Sequence, residues 1–353
     1  PLTPPSPACQ SRARAAPAAP ARETAMAVPN RILFVWLGTA FPYFCRLAVE
    51  SALLHNPDAE VEIHIHGPHP DVEHFRAVAG YRRVSVHGIT DLEALFGELD
   101  RPAERYVELF RRIPDRAASA RSNLLRYGLL HRRGGVYVDF DVLFRNSLEP
   151  LLGHPAFIGQ ERVWRDGKAK EAGERTVQMG VSGALWVASY ALRRIDAQVL
   201  GGRALLEKPA RAIEAGWATY NQNNAVIGAE PGNGFIRRVL TGALDQSPTV
   251  RFALGPTLVT KVAAETAAAG LSDVWLCPEE VLYPVPPSCS FQFFHGAPPA
   301  IPPSTVLIHY VASNHKKRLA ALTPETVGRG DQRSLFHLLA TDVAERARSL
   351  DRA

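Results

Sequence analysis

Four short apolar or alternating runs, Arg31–Leu37, Val61–His66, Arg83–His87 and Val136–Asp141, are separated by segments of helical spacing. This alternation constrains the fold more than any other feature of the chain. A strand that feeds a helix and then a second strand closes onto a parallel sheet, with helices covering its faces. Arg31–Leu37 (RILFVWL) is apolar almost throughout, as suits a strand buried on both faces. Val61–His66 (VEIHIH) alternates with the period of a strand. Tyr43–Leu54 has helical spacing directly after Pro42, and residues 101–132 read as one or two helices stopped by Gly134–Gly135.

The second half is less regular. Phe157–Arg162, Val181–Ala188 and Val306–Tyr310 read as strands, whereas Ala204–Trp217, Gly234–Leu244, Pro256–Ala268 and the region Gln332–Leu350 read as helices. The expected fold class is α/β: one domain over residues 30–353 with a mostly parallel sheet, helical insertions and a terminal helix. Residues 1–29 are rich in Pro, Ala and Arg and hold too little apolar surface to offset ordering entropy, so they read as a disordered leader, with Met26 a candidate start.

Composition narrows the function classes. A chain that is 46% hydrophobic and 21% charged is neither collagen-like, coiled-coil nor wholly disordered. No window approaches the roughly 18 apolar residues of a membrane span, and a signal-peptide core is missing. A cytoplasmic protein is therefore expected, with a secreted effector still open. The net charge of +5 is dispersed; it suits a phosphate-bearing partner and does not require nucleic acid. Cys9, Cys45, Cys277 and Cys289 have no metal-ligand spacing, and a disulfide framework is not expected.

The chemistry concentrates between residues 115 and 150. Asp139 and Asp141 flank Phe140 on a predicted strand, where alternation would turn both carboxylates to one side and Phe140 to the other, with backbone positions about 6–7 Å apart. Paired carboxylates at a strand end suit Mg²⁺ or Mn²⁺, with positions left for diphosphate oxygens. A bare D-x-D occurs often by chance, so its surroundings decide. The preceding helix carries Arg121, Ser122, Asn123 and Arg126, and the glycine turn folds it back beside the strand. A guanidinium, an amide and a hydroxyl near two carboxylates match a ligand bearing both phosphates and sugar hydroxyls.

Ser122-Asn123-Leu124-Leu125-Arg126 followed by Gly134-Gly135-Val136-Tyr137-Val138-Asp139-Phe140-Asp141, with Phe34-Val35-Trp36-Leu37-Gly38 upstream, resembles the sugar-binding DXD region of bacterial glycosyltransferases. That group includes the catalytic domains of the large clostridial glucosylating toxins and mannosyltransferase-like proteins. Weaker echoes are Asn223-Asn224-Ala225, Ala229-Glu230-Pro231-Gly232, Gly255-Pro256 and His309-Tyr310 with Ser313. The resemblance implies a GT-A (Rossmann-like) fold, a nucleotide-sugar donor, expected to be UDP-linked, and a divalent cation. It makes Asp141 the direct metal ligand and Asp139 the contact to ribose and sugar hydroxyls. Arg126 and Asn123 would hold the transferred sugar, Ser122 the nucleoside and Tyr137 the diphosphate side. Trp36 would stack on the base, and His309 and Ser313 would lie on the metal side, with His315, Lys316 and Lys317 adding charge near the diphosphate.

Two positions depart from the pattern: Asn123 stands where it has Asp, and Asn314 where it often has Trp. Asn223 and Asn224 read either as ligand-orienting amides or as caps of a helix beginning there. The implied activity is metal-dependent sugar transfer with retention to a hydroxyl of a glycan, lipid-linked or protein acceptor, in glycan or capsule assembly. A toxin-like effector acting on a host protein, and a nucleotide-sugar-binding protein without transfer activity, are the alternatives. No G-x-x-x-x-G-K-[ST] loop is present, which argues against a P-loop enzyme.

Overall fold

In a computed structural model, which describes residues 27–97, 99–164, 177–201, 203, 205–296, 298–329 and 333–353, the strand–helix units form as their spacing predicts. β1 (Arg31–Leu37), α1 (Tyr43–His55), β2 (Glu60–His66), α2 (Glu73–Ala79) and β3 (Val84–Gly88) lay down three parallel strands. α3 (Leu92–Phe96), α4 (Ala103–Arg112) and α5 (Ala118–Arg133) then lead to β4 (Gly135–Val138), which adds parallel to the other side of β1. β5 (Val142–Phe144), β6 (Ala156–Trp164), α6 (Val177–Gln198), α7 (Glu207–Glu214), β7 (Ala218–Ala229), α8 (Gly234–Ala243), α9 (Pro256–Ala268) and β8 (Trp275–Cys277) follow. α10 (Glu279–Leu282), β9 (Leu307–His309), α11 (Lys316–Ala320) and α12 (Leu335–Arg346) complete the described chain.

The main sheet has the order β3-β2-β1-β4-β7-β6-β8, and β7 alone runs against its neighbours. The expected mostly parallel α/β architecture with helical insertions is borne out. Alternation along β1 sends Ile32 and Phe34 into the core on the α1 side and Leu33 and Val35 into the core on the α5 side. Both faces are thus covered, which is why β1 reads as a continuous apolar run. A third cluster around Phe294, Tyr310 and Phe336 seats α12. No helix among the described residues is long and apolar enough to cross a membrane.

The α5–β4 turn depends on its two glycines. Gly134 has φ 62° and ψ −175°, a region that side chains essentially exclude. A Cβ there would lie 2.6 Å from the Pro231 ring, and one on Gly135 would lie 2.8 Å from the Arg31 carbonyl oxygen. The tight turn sets α5 beside β4 and so fixes what its side chains meet.

Several sequence expectations need correction. Val181–Ala188 is not a strand but part of α6. That helix buries Ser189, Arg193 and Asp196, four and three residues apart, and exposes Val187 and Ile195. With polar residues inside and apolar ones outside, an apolar run there misreports its own period. Asn223 and Asn224 do not begin a helix; they lie within β7, between ladders to β4 and β6. The predicted strand Val136–Asp141 stops at Val138, and the helix expected over 204–217 is confined to Glu207–Glu214. Residues 1–26 of the expected leader lie outside the described residues. Val28, within its predicted bounds, is buried, and its N–H donates to the Leu152 carbonyl at 3.0 Å.

Candidate active site

Asp139, Phe140 and Asp141 form the link by which the chain leaves one sheet for another. The Asp139 N–H continues the main-sheet ladder by donating to the Ala225 carbonyl at 2.8 Å. The Asp141 carbonyl already belongs to the small β5–β9 sheet, accepting from the Tyr310 N–H at 3.1 Å. The two carboxylates are therefore not alternate residues of one strand, as the sequence suggested, but the last of one sheet and the first of another. Phe140 between them is buried, as expected, stacked on Phe34 at 4.7 Å and met edge-on by Trp36 and Phe41.

Asp139 meets α5. Its Oδ1 accepts from Arg126 Nη2 at 2.9 Å and from the Tyr137 hydroxyl. Arg126 is only 3% exposed. Its guanidinium also donates to the Asn224 carbonyl and the Ser122 hydroxyl, and lies 4.1 Å from the centre of the Tyr137 ring. Burial pushes the Asp139 carboxyl upward, Arg126 opposes this, and the net shift is up. Asn123, Asn224 and Tyr127 complete this side. The Tyr127 hydroxyl donates to the Leu254 carbonyl, so it accepts from Asn224 Nδ2, which also donates to Asn123 Oδ1 at 2.9 Å. Gly255 makes room for this amide: a Cβ there would lie 2.8 Å from Asn123 Nδ2.

Asp141 meets the carboxy-terminal segment. Its Oδ2 accepts from the Ala312 N–H at 2.8 Å and pairs with His309 Nε2 at 3.3 Å. Burial opposes ionisation of Asp141, but His309 and the Ala312 N–H outweigh it and hold the carboxyl below its usual range. Burial likewise opposes the imidazolium, and Asp141 outweighs that too, raising His309 to about 9. Two carboxyls two residues apart are thus driven in opposite directions, a pattern that separates their chemical roles.

Sequence reasoning missed the feature that joins the two sides. The register between β6 and β7 jumps from Ile158↔Ile227 to Gly159↔Asn223, so Asn224–Val226 have no β6 partner. Irregularities of this kind re-aim side chains next to functional sites. Here Asn224 turns to the α5 side while Asn223 turns to Glu161, donating to its Oε1 at 2.7 Å. Glu161 is buried and its carboxyl is raised, chiefly by that burial, with His309 and Asp141 among the charges it feels. No motif marked it; only the strand register places it.

Of the residues proposed from sequence, Ser122, Asn123, Arg126, Tyr137 and Asp139 gather on the α5 side, and Asp141 and His309 on the other. Trp36 packs on Phe140, and its indole Nε1 is buried without a hydrogen-bond partner among the described residues. Ser313 is exposed in the 3-10 turn Ala312–Asn314, where the Ala312 backbone supplies the bond to Asp141. Among the described residues no group of three or more His, Cys, Asp or Glu is arranged to hold a metal. The donor set nevertheless fits an ion that draws most of its ligands from substrate and water, since Mg²⁺ in such sites takes one or two carboxylates beside phosphate oxygens. His309 Nδ1 is buried without a partner among the described residues and could ligate an ion once the imidazolium gives up its proton.

Residues 42–158, about a third of the chain, match the family model "Glycosyltransferase sugar-binding region containing DXD motif". This match bears out the resemblance drawn from the sequence and the expectation of a glycosyltransferase. No curated protein matches the chain. Among solved structures, the PaToxG glycosyltransferase is similar over 69% of this chain and 71% of its own at 12% identity, with a TM-score of 0.41. The UDP-bound glycosyltransferase domain of the YGT toxin is similar over 70% and 79% at 14% identity and 0.38. The galactosyltransferase LgtC, in complex with donor and acceptor sugar analogs, is similar over 89% and 95% at 14% identity and 0.39.

Proposed function

We propose that this chain transfers a sugar from a nucleotide-sugar, UDP-linked in our reading, to a hydroxyl acceptor, as a single GT-A domain from Val28 onward. One observation carries the reading: within the matched segment, the D-x-D carboxylates stand where the chain passes from one sheet to the other, with Asp139 held by Arg126 and Asp141 held by His309. Asp139 meets ribose and sugar hydroxyls, and Tyr137, bonded to it, lies on the diphosphate side. Asn123 and Arg126 shape the sugar subsite, the amide through its own contacts and the guanidinium by opposing the upward shift of Asp139 and fixing its aim. Trp36 offers an aromatic face to the base.

Asp141, with His309 and Ser313 on the same side, would hold a divalent cation, Mn²⁺ or Mg²⁺, which when bound neutralises charge on the departing diphosphate. Transfer would proceed with retention, and the acceptor we favour is a glycan hydroxyl. Acceptor contacts come from loops outside the donor site, so a protein hydroxyl uses the same machinery.

The test is release of nucleoside diphosphate by the purified full chain across a panel of UDP- and GDP-sugars, with Mn²⁺, with Mg²⁺ and with chelator. Metal-dependent UDP release from at least one donor is expected. UDP binding without sugar release identifies a non-transferring binding protein, and neither binding nor release rejects the donor site.

A further inference from the structure

Glu161 is a buried carboxylate on β6 that none of the roles above employs. It is 6% exposed, and the neutral amide of Asn223 is its hydrogen-bond partner. That amide cannot turn over freely, because Asn223 Oδ1 is occupied by the Ala225 N–H at 2.8 Å. Nδ2 therefore points at Glu161 and favours its proton-accepting form. The adjacent cation does not serve it: Arg162 reaches Glu214 and Glu279 instead. Two residues earlier on the same face, Gly159 leaves space for the Tyr283 ring, which meets the His309 imidazole edge-on at 5.8 Å. Glu161 therefore lies on the β6 face that carries the Tyr283 ring, on the side of the His309–Asp141 pair whose charges it feels. Burying a carboxylate whose hydrogen bond comes from a neutral amide is costly, and an apolar residue would pack β6 at less cost.

We propose that Glu161 receives the acceptor hydroxyl and takes its proton during transfer, an inference that rests on the glycosyltransferase reading. The acceptor oxygen forms its bond to the anomeric carbon with one of its lone pairs, on the face from which the diphosphate departs, so that configuration is retained. The bond from that carbon to the diphosphate oxygen breaks, its electron pair leaving with the nucleoside diphosphate. The acceptor proton passes to the Glu161 carboxylate and from there to solvent. No oxidant or further reactant is needed.

The experiment uses the full chain, a UDP-sugar that the wild type hydrolyses, and two probe nucleophiles, water and azide. A general base contributes about 10²–10⁴-fold. Glu161→Gln should therefore lower hydrolytic kcat at least about 100-fold, with UDP affinity unchanged within about twofold, well inside that range. Azide has no proton to lose, so it should restore turnover in this variant and yield the glycosyl azide. Hydrolysis at the wild-type rate, failure of azide to restore turnover, or a parallel loss of UDP affinity would each overturn the assignment. Should Glu161→Gln not fold, Glu161→Asp keeps the proton acceptor on a shorter arm; its kcat should fall while UDP affinity holds, and an unchanged kcat overturns the assignment. If the wild type releases UDP from no donor, the glycosyltransferase reading itself fails and this inference falls with it.

Discussion

Asp139 and Asp141 are separated by one residue, yet their surroundings have little in common. Asp139 lies against a side assembled from α5, β4 and β7, where Arg126, Ser122, Tyr137 and Asn224 bond to one another without outside help. Asp141 lies against a side assembled from β5, β9 and the turn after it, where His309 still has an unpartnered buried nitrogen among the described residues. The arginine side is complete as folded, and the histidine side is short of ligands. On the proposed reading a division of labour follows: one side would hold a sugar in fixed geometry, while the other would share an ion with a substrate.

The comparison breaks most readily at Arg126. Arg126→Met leaves Asp139 without its buried cation, and removing one partner of such a pair costs about 3–5 kcal/mol; urea unfolding should show it, and wild-type stability would mean that the arginine side is not prebuilt. Asp141→Ala should act on the other quantity. We expect metal-dependent UDP release to fall about 10²–10³-fold, the scale for losing one electrostatic contact to the departing group, with a smaller change in unfolding midpoint than in the arginine variant. Equal stability losses in the two variants would erase the distinction between the sides.

A buried ion cluster away from both sides supplies a baseline. Glu62 accepts from Arg133 at 2.8 Å and from His64 at 2.8 Å, and is ion-paired with Arg31 at 2.7 Å. Burial works against its ionisation, but the His64 and Arg133 bonds outweigh it and bring the carboxyl from 4.5 to about 2. The stabilisation is fully present above the unfolded value and is lost as pH falls from 4.5 toward 2. It amounts to about 3 kcal/mol at neutral pH. Glu62→Gln should flatten unfolding stability across that window while leaving UDP affinity unchanged. The smallest effect belongs to Trp36→Ala, which should weaken UDP binding by about 1–3 kcal/mol by calorimetry and change kcat less.

The legible parts of the molecule were those whose sequence period and burial agree. β1 through β4 and α5 follow their hydrophobic spacing, and the glycine turn stands where its glycines do. The pairing of Arg126 with Asp139 was legible as proximity, since a helix returned by a tight turn must face the strand that follows. Its saturation was not, because the Asn224 carbonyl that completes it comes from a strand 98 residues away. Glu161 was illegible for the same reason: its placement follows from a register jump in β7, and local sequence carries no trace of strand register. α6 failed differently. Arg193 is buried against Glu207 and Glu214, so its inward face is charged and its apolar residues look outward, reversing the rule by which helices are read.

The β5–β9 pairing carries a consequence for how the molecule matures. His309 and the Ala312 N–H reach Asp141 only after the much later strand Leu307–His309 has zipped onto Val142–Phe144. A chain emerging from the ribosome can complete its arginine pocket while the histidine arm is still unsynthesised. On the proposed reading, the ion site forms only once the segment through Ala312 has been made, and a nascent or clipped chain lacking Leu307–His309 would keep the arginine side without the histidine side.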